Sequence, residues 1–121
     1  MPMQQTAIFF GYSPVDWKIL DLSDILPTGM KCLIKFVVAH VDELEAIHTF
    51  RGGWVDQPSQ RWPQFLQGAY VCRVGADVGL TGHTSTVWGV SDDDCTIKWK
   101  SDNVVQCIVS IDGFFPMEEG Q

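Results

Sequence analysis

Residues 30–40, MKCLIKFVVAH, restrict this chain's folding options more than any other stretch. Met30, Cys32, Ile34, Phe36 and Val38 take every second position, and Lys31, Leu33, Lys35 and Val37 take the positions between. Side chains alternate between the two faces of a strand, whereas helical neighbours return every three or four residues. The stretch therefore reads as a strand with one continuously apolar face and one mixed face. The apolar face must bury against something, so the rest of the chain has to supply partners and a cover.

Shorter runs supply them. Thr6–Tyr12 (TAIFFGY) is apolar and ends at Gly11, Ser13 and Pro14. Trp17–Leu22 alternates, with Trp17 and Ile19 on one face and Lys18 and Leu20 on the other. Leu26–Gly29 (LPTG) is a turn, in which Pro27 fixes φ and Gly29 permits a positive φ. Ala69–Val74, Ser85–Val90, Cys95–Lys100 and Val104–Ile111 are further strand-like runs. The spacing predicts hairpin turns at Ser91–Asp94 and Ser101–Asn103. Val41–Phe50 is the one helical candidate, since Val41, Leu44 and His48 fall at helical spacing. Ala46, His48 and Phe50 also alternate, which leaves a strand or loop reading open. The sum is an all-β fold: an antiparallel sandwich or jelly roll of about seven strands with at most one short helix.

Composition sets the remaining bounds. With 121 residues and 45% hydrophobic residues the chain makes one domain, residues 1–121, with a core of its own. Eight Lys and Arg against 15 Asp and Glu give a net charge of −7, with no basic cluster. Phosphate backbones and anionic membranes require such a cluster, so neither is an expected partner. No apolar run is long enough to span a bilayer. The MPMQQTAIFF start lacks the basic and apolar blocks of a signal peptide, which predicts a cytoplasmic protein or one whose leader has been removed. Cys32, Cys72, Cys95 and Cys107 each fall inside an apolar run and read as buried thiols, with disulfides or a zinc site as alternatives.

Reactive motifs are sparse. There is no GxSxG, HExxH, phosphate-cradling loop or dinucleotide fingerprint. His40 and His48 could meet with Asp42 or Glu45 around a metal, although surface or hydrogen-bonded histidines are the simpler reading. Asp92, Asp93 and Asp94 invite calcium, but adjacent carboxylates point in different directions and read as a solvated turn. Asp16, Asp21, Asp56 and Asp77 offer no spacing that singles out a glycosidase pair. No catalytic residue, metal or cofactor is assigned. The segment Gly52–Gly68 is the longest irregular one, and it carries Trp54, Arg61 and Trp62 just after Arg51. Flat aromatic surface beside planar hydrogen-bonding groups suits a sugar or a protein, so these four residues are the candidate ligand-binding set. The alternative is that the tryptophans close one end of the sandwich. Leu33 and Val37, joined by Val71 and Ile108, form a candidate patch for self-association.

The order of Trp17–Ser23, Leu26–Gly29, the long strand, Phe50-Arg51, His83–Val90, Thr96–Lys100 and Val109–Phe115 resembles small β-sandwich modules of phage tail-fibre and related virion or mobile-element proteins. The resemblance covers roughly Trp17 to Phe115 and rests on turns and apolar positions. It implies a non-enzymatic, often oligomeric module that assembles or contacts a glycan or protein receptor, associated with a virion. The rival from another class is a small jelly-roll hydrolase or lyase that uses His48, His83 or a carboxylate.

Overall fold

The computed structural model describes residues 2–41, 44–52, 69–74 and 83–116. They form eight strands: β1 (Pro2–Tyr12), β2 (Lys18–Asp21), β3 (Cys32–His40), β4 (Ala46–Arg51), β5 (Ala69–Val74), β6 (His83–Val90), β7 (Thr96–Ser101) and β8 (Gln106–Pro116). Two four-stranded antiparallel sheets result, in the orders β1-β8-β3-β6 and β2-β7-β4-β5. First pairs with last, second with seventh, third with sixth and fourth with fifth. This is a long nested hairpin rolled into two sheets, the jelly-roll topology.

The long central strand sits where its sequence requires. β3 lies between β8 and β6, and its residues alternate strictly between buried and half-buried from Cys32 to His40. Cys32, Ile34, Phe36 and Val38 are fully buried, so the period of two reports a real core face. Across the sandwich Phe36 stacks on Phe50 at 5.0 Å between ring centroids, and Phe50 stacks on Trp99 at 5.8 Å. Phe9 meets Trp99 edge-on at 5.0 Å. These four rings join β3, β4, β7 and β1, and they tie the two sheets through the middle of the core. The expected thiols at Cys32, Cys95 and Cys107 are buried, and burial raises the Cys32 and Cys95 thiols above their ordinary pKa.

One open alternative is decided and two expectations need correction. The segment around 46–51 is strand β4, and no helix occurs among the described residues. The alternation of Ala46, His48 and Phe50, all buried, prevails there over the helical spacing of Val41, Leu44 and His48. The turns at Ser91–Asp94 and Ser101–Asn103 are not hairpins. β6 and β8 lie in one sheet and β7 in the other, so both turns are arches that carry the chain across the sandwich. At the first arch Cys95 adopts φ 64°, Ser91 donates its N–H to the Cys32 carbonyl, and the Cys32 N–H donates to Ser91 Oγ. Val71 belongs to β5, paired with Thr49 in the second sheet, and so cannot join Leu33 and Val37. The LPTG turn forms as its sequence requires, with Gly29 at φ 79°.

Candidate functional site

Because inward positions on each strand are spoken for by the core, function has to come from outward positions or from polar residues that break the apolar interior. Both occur.

On β4 the outward residues are Ile47, Thr49 and Arg51, and on β7 they are Lys98 and Lys100. The register sets Thr49 opposite Lys100 and Arg51 opposite Lys98. Ile19 of β2 stands opposite Lys98 on the other side. Arg51, Trp17, Gly52, Asp92 and Lys98 line a cleft of about 330 Å³. Trp17 is 40% exposed, and the Lys100 ammonium lies 4.7 Å from the centre of its ring. A neighbouring depression of about 360 Å³ continues over Ile47, Thr49 and Lys100 to Asp102. Like charges placed directly opposite on adjacent strands repel. Neither Arg51 nor Lys98 is held in an ion pair among the described residues. Asp92 is the carboxylate that lines the cleft; burial raises its pKa, Asp94 adds to the rise, and Lys31 and then Lys98 oppose it. Gly52 is required here by close approach, since a Cβ would stand 2.2 Å from the Val90 carbonyl oxygen.

The opposite surface of the molecule is different. The β1-β8-β3-β6 sheet turns Phe10, Ile108 and Ala39 outward in one row, and Val37 beside Ser110 in the next. Phe10 is 65% exposed. Trp88 stacks on Phe115 at 6.4 Å, and Lys35 pairs with Asp112, the extra residue of a bulge in β8, at 3.1 Å.

Inside, one end of the sandwich is polar. His40 closes β3 and His48 lies in the middle of β4, and both are buried. Their Nε2 atoms are 2.7 Å apart, across the two sheets. His40 Nδ1 lies 2.7 Å from the Leu44 carbonyl oxygen, and His48 Nδ1 lies 2.5 Å from Ser101 Oγ. A carbonyl only accepts, so His40 carries its proton on Nδ1 and presents a lone pair from Nε2. Burial, and then the neighbouring His40, hold the His48 pKa down at about 4; Asp102 offsets part of the drop. The two histidines thus meet as their sequence spacing allows. Glu45 is exposed and Asp42 lies outside the described residues.

No family model matches the chain, and no curated protein does.

Of the four residues expected to bind ligand, Arg51 lies at the cleft. Trp54, Arg61 and Trp62 lie outside the described residues. Trp17 and Lys98 were assigned to no site by the sequence reading, and Asp92 was weighed only for calcium and read as a solvated turn, although all three join Arg51 here. Trp17 and Ile19 carried the one available signal. They are apolar residues alternating with buried Leu20, and their exposure marks an outer face that solvation alone does not explain. Asp93 and Asp94 are exposed, and Asp94 accepts a hydrogen bond from the Thr96 hydroxyl at 2.7 Å. Among the described residues no three His, Cys, Asp or Glu side chains gather at one point, and no helix is long and apolar enough to cross a membrane.

Proposed function

We propose that this protein is a non-enzymatic binding module whose contact surface is the outer face of the β2-β7-β4-β5 sheet, and whose ligand is a carbohydrate bearing carboxylate or sulfate groups. The observation that carries this reading is the pairing of Arg51 with Lys98 across neighbouring strands in a cleft beside Trp17. An anion relieves the repulsion of the two cations, and the Arg51 guanidinium offers the planar fork that matches a carboxylate. A half-exposed indole supplies a flat apolar wall. The cleft has the size of a small-ligand site. A protein carrying acidic side chains is the other class that such a surface accommodates, and it makes a wider contact than this cleft alone.

The remainder of the reading rests on the resemblance to virion and mobile-element modules, and on the apolar outer face of the other sheet. That face supports assembly into a homo-oligomer through Phe10, Val37 and Ile108, and it leaves the cationic face turned outward. The rival reading as an enzyme draws less support, because the His48 ring is enclosed by His40, Trp99 and Ser101.

The test is calorimetric titration with a uronate-containing and a sulfated oligosaccharide at low salt, beside a neutral oligosaccharide of the same length. The anionic sugars are expected to bind, and to bind more weakly as salt rises. Trp17→Ala and Arg51→Ala are each expected to abolish the heat of binding while the melting temperature stays within a degree or so, because both residues are exposed. Equal heats for neutral and anionic sugars, or binding unchanged in Arg51→Ala, would remove the reading.

A further inference from the structure

The outward row of the β2-β7-β4-β5 sheet runs on past the cleft, and its charge changes in one direction. Three cross-strand rungs lie along β4 and β7. Arg51 stands opposite Lys98, and Thr49 opposite Lys100. The third rung is Ile47 with Asp102: the Ile47 N–H donates to Asp102 Oδ1 at 2.8 Å, and the Asp102 N–H donates to the Ile47 carbonyl at 3.1 Å. Formal charge therefore falls from two cations on the first rung to one on the second, and to one anion on the third. Successive rungs are two residues apart, about 6.7 Å along a strand, so the row covers roughly 13 Å. The first rung belongs to the Trp17 cleft and the other two to the neighbouring depression. Lys100 joins them, since it lines the depression while its ammonium lies over the Trp17 ring. A ligand confined to the Arg51–Lys98 cleft leaves the second half of this row unused.

The far end is held in place by its own hydrogen bonds. Val15 and Ile47 are exposed aliphatic side chains, and they line the depression together with Asp102. The chain leading to Val15 is tied down: Ser101 donates its N–H to the Pro14 carbonyl at 2.7 Å, and Ser13 donates its hydroxyl to the Asn103 carbonyl at 2.9 Å. The Ile47 N–H orients the Asp102 carboxylate, whose two oxygens keep capacity for a further donor. Aliphatic walls beside an oriented acceptor suit a group that carries a methyl and an N–H, and the acetamido group of an N-acetylated sugar has both. They do not suit a second acidic ring, whose charge Asp102 repels.

We propose, resting on the reading of this face as an anionic-glycan surface, that the glycan carries an N-acetylated ring next to its acidic ring, and that Val15, Ile47 and Asp102 form the subsite for the acetamido group. The uronate carboxylate sits on Arg51 and Lys98 with its ring against Trp17. Thr49 and Lys100 lie under the link between the rings. The acetamido N–H donates to Asp102, and its methyl packs on Val15 and Ile47. A site built to receive a hydrogen bond rejects a ring that lacks the donor more strongly than an apolar wall rejects a misfit. Asp102 therefore selects twice, by accepting from the acetamido group and by repelling a ring that is acidic in its place.

Two tetrasaccharides test this by calorimetric titration of the full chain at one low salt concentration. One alternates glucuronate with N-acetylglucosamine, and the other is a tetragalacturonate, acidic at every ring. The alternating sugar is expected to bind at least about tenfold more tightly, although it carries half the charge. Asp102→Asn keeps an acceptor for the Ile47 N–H and removes the charge. It should weaken the alternating sugar by about tenfold and tighten the all-acidic one, and such opposite signs cannot come from damage to the fold. Val15→Ser should weaken the alternating sugar several-fold, and it decides the matter where Asp102→Asn fails to fold. Equal or tighter binding of the all-acidic sugar by the wild type overturns the proposal, and so does an Asp102→Asn variant that tightens both sugars. In either case the Arg51–Lys98 cleft still stands as a site for acidic sugars, provided that Arg51→Ala abolishes the binding. Binding of neither sugar, or binding of both that Arg51→Ala leaves unchanged, removes the surface itself and the acetamido subsite with it.

Discussion

The outer face of β1-β8-β3-β6 and the outer face of β2-β7-β4-β5 come from the same alternation, yet they carry opposite chemistry. The first presents Phe10, Val37, Ile108 and the Trp88–Phe115 stack, and the Lys35–Asp112 ion pair on it is internally neutral. The second presents Arg51, Lys98 and Lys100 with Trp17 among them, in a chain whose net charge is −7. Folding fixes the inward parity of every strand and says nothing about the outward parity. A concentration of cations on one face of an acidic protein, and of exposed aromatics on the other, is therefore the part of the sequence that folding leaves unexplained. It is also the part that the proposed binding and assembly roles use.

The largest expected effect comes from breaking what the two faces share. Phe50 stacks between Phe36 and Trp99 in the middle of the core, so Phe50→Ala should cost about 3 to 5 kcal/mol, and chemical denaturation should show it as a lowered midpoint. Both outer faces should lose their function with it, since neither can outlast the sandwich.

Acid should come next. His48 titrates near 4 in the folded protein against an ordinary value of 6.5. Between those values the unfolded chain binds the proton and the folded chain does not, so stability rises with pH. The contribution is complete above about 6.5 and is lost as pH falls toward 4, and it amounts to roughly 3 kcal/mol. Denaturation midpoints measured from pH 7 down to 4 check the direction, and the slope should shrink in a folded His48→Gln variant.

Gly52→Ala sharpens the comparison on the cationic side. The new methyl would press on the Val90 carbonyl, and overpacking of this kind costs about 1 to 3 kcal/mol. The cleft should also change shape, so this variant should lose both stability and ligand. Arg51→Ala, in contrast, should lose the ligand alone.

The smallest effect on stability should come from the apolar face. Val37→Glu places a charge on the outward row of β3 and should move the melting temperature little. Light scattering should nevertheless show a smaller particle than the wild type at tens of micromolar. A wild type that is monomeric at that concentration would detach the apolar face from assembly.

How much of this was legible beforehand follows from which forces act. The all-β class, the burial of 32, 34, 36 and 38, and the positive φ at Gly29 were readable, because strand alternation and turn chemistry are local. The Val41–Phe50 segment was ambiguous because His48 satisfies both periods, and only burial of Ala46, His48 and Phe50 against the other sheet decides it. The two arches read as hairpins because a short polar turn looks alike in sequence whether the chain returns along its own sheet or crosses to the other. Arg51 was found through its neighbours in sequence, whereas Lys98 and Trp17 reach it only through strand pairing, which no local pattern encodes. The meeting of His40 and His48 was foreseeable as a possibility, but Ser101 behind His48 depends on the same long-range register.

The most direct test of the central claim makes the same charge change on the two faces. Arg51→Glu reverses a cation in the cleft, and Lys35→Glu reverses one on the opposite sheet, so both alter the net charge equally. With a sulfated oligosaccharide at fixed low salt, Arg51→Glu is expected to abolish binding while Lys35→Glu leaves the dissociation constant within about threefold of the wild type, a difference of under about 1 kcal/mol. Equal weakening by both would show that overall charge alone attracts the ligand, and would contradict a binding surface on the β2-β7-β4-β5 face.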